Sequence, residues 1–228
     1  MSKKRKIFIA GDSTASNYQE SDAPRAGWGQ VISNFFVDEI EVINKAASGR
    51  STKSFINENR LNEIEKLISE GDYLFIQFGH NDQKDDPARG TEAFGSFQDN
   101  LKAYIKVAKK NGATPILLTP IQRRNFSSSG HLINTHGKYP EAVKKLAHQL
   151  NLNLIDLAKI TKKYFEELGP KRTKEIFLWL EPGESENYPE GEEDNTHFSK
   201  NGALKISELI VEEMRNQNLE LSKYIVGK

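Results

Sequence analysis

Five residues spread along the chain could together carry out nucleophilic catalysis. Ser13 offers a hydroxyl nucleophile, and His197 offers a base that could take the hydroxyl proton. Asp194 precedes His197 by three positions, a spacing at which a carboxylate can fix the tautomer of the imidazole. The backbone N–H of Gly49 and the side-chain amide of Asn81 could donate to a developing oxyanion, as could the backbone N–H of Ser13. Such a set fits attack by a serine on a carbonyl carbon.

Each of these motifs also has an ordinary structural interpretation when it is taken alone. Gly-Asp-Ser and Gly-His-Asn-Asp are common turn sequences, because glycine, asparagine and aspartate tolerate tight backbone paths. Gly49 fits a strand-to-helix turn capped by Ser51 or Thr52, and Asp194 fits the start of a helix. The complete set favours the catalytic interpretation, because a serine, two oxyanion donors and an Asp/His pair all lie where one βαβ sheet would gather them.

Short apolar segments alternate with longer segments of helical periodicity. The apolar segments predict buried strands over Ile7–Ala10, Glu41–Asn44, Tyr73–Phe78, Thr114–Thr119 and Asn153–Leu157. Helical spacing predicts helices over Phe94–Ala108, Ala142–Leu150 and Ala203–Met214, the last with Ser199 as its N-cap. This alternation predicts an α/β fold with three layers, in which helices flank a doubly wound parallel sheet of about five strands. Such a sheet would gather the four motifs near the carboxyl ends of its strands.

Two long stretches interrupt the alternation and are predicted to be loops at the same edge of the sheet. Residues 120–138 are polar and carry the basic pair Arg123 and Arg124. Residues 169–196 hold an acidic run, Glu181–Asp194, which lacks the regular spacing of a calcium loop and is interpreted as a solvated flap. Long loops in compact domains are usually functional or mobile.

Composition excludes several classes of function. The 228 residues predict one domain over 1–228, and 32 basic against 32 acidic residues argue against a nucleic-acid partner. The absence of cysteine excludes disulfides, thiol catalysis and cysteine-ligated metals. The apolar run Ile7–Ala10 is shorter than the roughly 7 to 15 residues of a signal-peptide core, and no run reaches the ~18 residues of a membrane span. We therefore expect no membrane association and a cytoplasmic location, whereas the oligomeric state is left open.

The four motifs resemble those of the SGNH hydrolase superfamily. The matching blocks are Gly11-Asp12-Ser13, Gly49, Gly79-His80-Asn81-Asp82 and Asp194-Asn195-Thr196-His197. Within the superfamily, the chain is most similar to rhamnogalacturonan acetylesterases, on segments that include Gly27-Trp28-Gly29 and Thr119-Pro120-Ile121-Gln122-Arg123-Arg124. The resemblance implies a flavodoxin-like fold and removal of acetyl groups from pectin oligosaccharides through an acetyl-serine, with no metal or other cofactor.

The resemblance also suggests which residues contact the sugar. Arg123 and Arg124 could pair with a galacturonate carboxylate, although a solvated basic turn is an equal alternative. Trp28 could stack on a sugar face or pack in the interior. Weaker candidates are Gln30, Gln83, Arg50 and His80, whereas His131 and His136 are predicted to be surface residues. Secreted members of the family have disulfides and a signal sequence, which this chain lacks, so the expected substrate is an imported oligosaccharide and not the polymer.

Three alternatives from other classes stay open at this point. A metal-dependent phosphoesterase would use the same Gly-Asp and Gly-His-Asn-Asp signatures, but few His and Asp residues are placed to hold two metals. A sugar-binding module could occupy the same fold without catalysis. An esterase acting on lipids or thioesters would keep the chemistry and require an apolar groove, against which the polar loop 120–138 argues.

Overall fold

The computed structural model describes residues 4–227. Its strands are β1 (Arg5–Gly11), β2 (Arg25–Ala26), β3 (Ile40–Asn44), β4 (Tyr73–Gln77), β5 (Thr114–Leu118), β6 (Asn153–Ile155), β7 (Phe177–Leu180) and β8 (Glu192–Ser199). Its helices are α1 (Trp28–Val31), α2 (Thr52–Asn57), α3 (Arg60–Glu65), α4 (Ser96–Lys110), α5 (Tyr139–Gln149), α6 (Leu157–Arg172, interrupted at Gly169) and α7 (Lys200–Asn216). None of the helices in the described range is long and apolar enough to cross a membrane.

The main sheet is parallel and has five strands in the order β3-β1-β4-β5-β6. Counted along the chain, this is the 2-1-3-4-5 order of flavodoxin-like folds. All five predicted strands are present, and each differs from its prediction by a few terminal residues at most. The predicted α/β class and doubly wound sheet are therefore confirmed.

Helices cover both faces of this sheet, because its strands are apolar on both sides. In β1, Ile7 and Ile9 face one core, which α1, α6 and α7 complete, whereas Phe8 and Ala10 face a second core against α2 to α5. All four side chains are fully buried. This two-sided burial accounts for the continuous apolar runs of these strands, which lack the alternating pattern of a half-exposed sheet.

A second, antiparallel sheet in the order β2-β8-β7 lies largely within the stretch 169–196, for which the sequence predicts an irregular loop. That prediction is wrong over 177–180 and 192–196, where the chain forms β7 and most of β8. The sequence of β8 does not look like that of a buried strand, because its first residues are polar and, within the strand, only Phe198 is fully buried. The short apolar run of β7 is the signal that could have revealed the hairpin.

Candidate active site

Ser13 lies in a tight turn directly after β1. The carboxylate of Asp12 accepts hydrogen bonds from the backbone N–H of Thr14 (3.0 Å) and its hydroxyl (2.8 Å), and the Ser16 hydroxyl donates to the Asp12 carbonyl (2.8 Å). The phenol of Tyr18 donates to the Ser13 carbonyl (2.7 Å). These bonds fix the backbone on both sides of the serine, so its hydroxyl is held at the carboxyl edge of the sheet.

The structure brings Ser13, His197 and Asp194 into one hydrogen-bonded row. The Ser13 Oγ lies 2.9 Å from His197 Nε2, and His197 Nδ1 lies 2.5 Å from Asp194 Oδ2. The other carboxylate oxygen of Asp194 accepts the backbone N–H groups of Thr196 (2.7 Å) and His197 (2.9 Å). The nucleophile, base and acid named from sequence are thus neighbours, although 184 positions separate Ser13 from His197.

A bulge in β8 gives the acid and the base their geometry. Phe177 of β7 pairs with Phe198 of β8, and the next residue, Leu178, pairs with Asp194. Residues 195–197 of β8 have no partner in β7 and form the bulge. This excursion turns the carboxylate of Asp194 back onto the N–H groups that follow it and presents the imidazole beside its own acid. The spacing of three residues works here through a strand bulge and not through the turn of a helix.

Electrostatics keep the acid of this row ionised. Burial would raise the pKa of Asp194, but the hydrogen bond and charge of His197 and the two backbone N–H groups lower that pKa to about 2. An ionised Asp194 accepts the Nδ1–H of His197, which leaves Nε2 with a lone pair for the Ser13 hydroxyl proton. The row is therefore arranged for general-base activation of the serine.

The two oxyanion-donor candidates lie on adjoining segments. Asn81 follows β4 and is almost fully buried, and its Nδ2 donates to the carbonyl of Arg50 (3.0 Å), the residue after Gly49. Gly49 has a φ of 79°, a conformation that favours glycine. The N–H of Ala47 donates to the carbonyl of Gly11 (3.0 Å), which ties this loop to the end of β1. Both candidates therefore lie at the same sheet edge as Ser13.

The sequence did not indicate the contacts of two buried carboxyl groups near Asn81, those of Asp12 and Asp82. His80 Nδ1 lies 3.1 Å from Asp12 Oδ2, and both side chains are buried. Burial opposes ionisation of Asp12, but the charge and hydrogen bond of His80, with bonds from Thr14, hold its pKa below the ordinary value. Asp82 Oδ1 accepts the N–H (3.0 Å) and the hydroxyl (2.5 Å) of Thr52 at the start of α2. The residues were visible in the motifs, but only the tertiary packing pairs them.

Asp82 makes a testable contribution to stability. Burial raises its pKa from 3.8 to about 7, against the bonds from Thr52 and with the Asp12 charge adding to the shift. At a pH between 3.8 and about 7, Asp82 is protonated in the folded protein and ionised in the unfolded chain. The free energy of unfolding therefore falls as pH rises through this range. The wild type loses this stability as pH rises, and the Asp82→Asn variant does not. The unfolding free energy of the variant minus that of the wild type is therefore expected to be roughly 2 to 3 kcal/mol larger at pH 8 than at pH 5. Urea unfolding at both pH values measures this change, with the exposed Asp38→Asn as control; an equal difference at both pH values contradicts it.

The expectation that Trp28 stacks on a sugar was wrong. Its side chain is fully buried, packs near Phe75 with ring centroids 6.5 Å apart, and donates from Nε1 to Gln77 Oε1 (2.9 Å). Side chains at Gly27 and Gly29 would collide with the backbone of residues 15 and 16 within 2.6 Å. The Gly-Trp-Gly motif is therefore explained by close packing against the turn that carries Ser13.

The basic pair and the two loop histidines are placed differently from one another. Arg123 donates to the carbonyls of Thr135 (3.1 Å) and His80 (3.3 Å), and Arg124 donates to the Asn195 side chain (3.0 Å) and the Pro170 carbonyl (2.6 Å). His131 is exposed, as expected, whereas His136 is fully buried, so the prediction of a surface position was wrong for it. Its Nε2 lies 2.7 Å from the Ile121 carbonyl, a partner that the polar sequence of the loop did not reveal.

The model of the GDSL-like lipase/acylhydrolase family matches residues 7–210. The fold, the hydrogen-bonded row and this match define the chain as an SGNH-type ester hydrolase. It belongs to the GDSL-like lipase/acylhydrolase family.

Relatives cover nearly the whole chain. It is 44% identical over 228 residues to the rhamnogalacturonan acetylesterase RhgT of Bacillus subtilis strain 168, covering 100% of this chain and 97% of that protein. It is 36% identical over 221 residues to the probable rhamnogalacturonan acetylesterase YesY of the same organism, covering 96% and 97%. The solved structure of YxiM from Bacillus subtilis has a TM-score of 0.81 at 30% identity, covering 95% of this chain and 57% of that one.

Proposed function

We propose that this protein is a serine acetylesterase that removes O-acetyl groups from rhamnogalacturonan oligosaccharides. The observation that carries the chemistry is the row of Ser13, His197 and Asp194, whose reacting atoms lie 2.9 Å and 2.5 Å apart. The substrate class rests on the likeness to RhgT and YesY, whose names carry that activity. Site and relatives support one another, because acetyl transfer to a serine needs this kind of row.

Acylation begins when Ser13 Oγ attacks the carbonyl carbon of the acetyl ester. His197 Nε2 takes the hydroxyl proton, and ionised Asp194 stabilises the imidazolium that forms. The negative charge on the former carbonyl oxygen is met by the backbone N–H groups of Ser13 and Gly49 and by the Asn81 amide. Loss of one such donor typically costs about 2.7–4 kcal/mol of barrier. His197 then returns the proton to the departing sugar oxygen, and the acetyl group stays on Ser13.

Deacylation repeats these steps with water as the nucleophile. His197 takes a proton from the water as it attacks the acetyl-serine carbonyl, and the same donors meet the second oxyanion. Collapse of this intermediate breaks the bond to Ser13 Oγ, which recovers its proton from His197. Acetate leaves, and the residues return to their starting state. In both half-reactions, residues of this chain supply the first nucleophile, the proton transfers and the oxyanion donors, and water is the second nucleophile.

Acetate release from a panel of esters tests the proposal. Purified protein is offered acetylated rhamnogalacturonan oligosaccharides, acetylated xylo-oligosaccharides, a small aryl acetate and a long-chain acyl ester, each with and without a chelator. We expect kcat/KM on the rhamnogalacturonan substrate to exceed that on the xylan substrate by roughly tenfold or more, and no effect of the chelator. Equal rates on both sugars would contradict the substrate class, and loss of activity on chelation would contradict the serine mechanism.

The place of action stays a prediction. A cytoplasmic location, with which the absence of cysteine is compatible, would present the enzyme with imported fragments and not with the intact polymer. A comparison of kcat/KM on short oligosaccharides and on the polymer tests the consequence. A preference for the polymer would argue against it.

A further inference from the structure

The consecutive residues Arg123 and Arg124 lie in the loop between β5 and α5 and contact two different segments of the active site. One guanidinium crosses to the segment that carries Asn81, and the other crosses to the bulge that carries Asp194. From the sequence, this basic pair could either bind an acidic sugar or form a solvated turn. Their contacts give each arginine a separate partner inside the protein.

Arg123 binds the segment that carries the oxyanion-donor candidate Asn81. Its Nη2 donates to the carbonyl of His80 (3.3 Å), the residue before Asn81, and its Nη1 donates to the carbonyl of Thr135 (3.1 Å). His80 in turn is paired with Asp12, the residue before the nucleophile. Arg123 therefore acts on the backbone that sets the position of the Asn81 amide.

A buried neutral histidine holds Arg123 in place. Burial and the charges of His80 and Arg123 lower the pKa of His136 to about 2, so its imidazole is neutral. Its Nε2 lies 2.7 Å from the Ile121 carbonyl and must carry the proton, which leaves Nδ1 as an acceptor 3.4 Å from Arg123 Nη1. The rings of His136 and His80 also meet edge to face, with centroids 4.5 Å apart.

Arg124 binds the bulge that carries the acid and the base. Its Nη1 donates to Asn195 Oδ1 (3.0 Å), its backbone N–H donates to the Asn195 carbonyl (2.9 Å), and its Nη2 donates to the Pro170 carbonyl (2.6 Å). The guanidinium carbon lies 4.6 Å from the centroid of the Trp179 ring, whose Nε1 also donates to Asn195 Oδ1 (3.0 Å). Asn195 is the first residue of the bulge and directly follows Asp194, so these contacts hold the backbone next to Asp194 in position.

We propose that Arg123 and Arg124 are positioning residues that brace the two halves of the active site, Arg123 through the Asn81 segment and Arg124 through Asn195. This inference rests on the proposed serine esterase function. It replaces the role in binding a galacturonate carboxylate, which needs two donors on one open edge of a guanidinium. In Arg124 the Nε is buried and Nη2 donates to the Pro170 carbonyl (2.6 Å), so the edge formed by these two nitrogens is closed to a carboxylate.

Kinetics on two substrates separate a brace from a substrate ligand. Arg123→Met and Arg124→Met are each expected to lower kcat by roughly 10- to 100-fold on both the neutral aryl acetate and the acetylated rhamnogalacturonan oligosaccharide, because small misplacements of reacting groups carry such costs. KM is expected to change less than about threefold on either substrate, since the substrate contacts remain. A rise in KM confined to the galacturonate-containing substrate would overturn the brace and restore the role as a carboxylate ligand.

Double-mutant cycles test whether each arginine acts through its named partner. Arg123→Met is expected to add less than about a twofold loss in an Asn81→Ala background, and Arg124→Met less than about twofold in an Asn195→Ala background. The crossed pairs, Arg123 with Asn195 and Arg124 with Asn81, are expected to combine additively. Additive losses in the named pairs would contradict the proposal.

Arg215→Met is the matched control, because Arg215 also donates to a backbone carbonyl, that of Val226, near the end of α7. Circular dichroism and thermal melting confirm that each variant is folded before its kcat is compared. Absence of Ser13-dependent activity in the wild type would refute the proposed function itself. Wild-type activity together with unchanged kcat in both methionine variants would refute the brace alone.

Discussion

Replacing Ser13 with alanine is expected to lower kcat for acetyl ester hydrolysis by roughly 10⁴- to 10⁶-fold while the fold is retained. The hydroxyl is the group that His197 Nε2 contacts at 2.9 Å, and its removal leaves no nucleophile at that position. The side chain is small and almost fully buried, so the loss of one oxygen leaves the turn around Asp12 and Thr14 in place. Acetate release by the wild type and the variant on the aryl acetate measures the difference.

A covalent readout makes this prediction sharper. Wild-type protein quenched during turnover should carry an acetyl group on the peptide that contains Ser13, and mass spectrometry should find none on the Ser13→Ala variant. Ser207→Ala is the matched control, because Ser207 is also buried and its Oγ lies 2.9 Å from the carbonyl oxygens of both Trp28 and Ala203. Wild-type rates in the Ser13 variant, or an acetyl group on another residue, would show that the nucleophile lies elsewhere.

The parallel sheet could be predicted from sequence because its strands are buried on both faces. Segments such as Tyr73–Gln77 are apolar over nearly their whole length, and short apolar runs bounded by turn residues are typical of strands that are covered on both sides. In the hairpin of β7 and β8, only the short apolar run of β7 gives such a signal. The first half of β8 is polar, and its pairing depends on a partner strand and on a bulge that no local pattern indicates.

The order of the motifs indicated which residues could meet, but not what surrounds them. Chain order on a parallel sheet brings the ends of β1 and β4 together, so the approach of Ser13 to the Asn81 segment follows from topology. Which side chains face solvent is decided by packing between distant segments. Trp28 and His136 illustrate this, because both lie in polar or glycine-rich stretches and both are fully buried. The same packing makes Arg123, which the sequence presents as a surface charge, a partner of His80.

Asp194→Asn is expected to lower kcat by roughly 10³- to 10⁴-fold with little change in KM. The Asp194 carboxylate accepts the Nδ1–H of His197 at 2.5 Å and keeps the lone pair of the ring on Nε2, facing Ser13. An asparagine amide can rotate its NH₂ group toward the ring, which favours the other tautomer and places a proton on Nε2 where the base needs a lone pair. The charge that stabilises the imidazolium is lost as well. Steady-state rates on the aryl acetate measure both effects together.

The pH dependence identifies the carboxylate as the cause. The pKa of Asp194 is lowered to about 2 from 3.8, so the wild-type carboxylate stays ionised throughout the range from pH 4 to 8. The wild-type carboxylate therefore acts without any change in its own protonation, and the loss of kcat in the variant should be present at every pH from 6 to 8. Glu190→Gln, which removes an exposed acid from the same stretch, should leave kcat within about twofold of the wild type. An Asp194→Asn variant within tenfold of the wild type would mean that His197 is oriented by another acceptor.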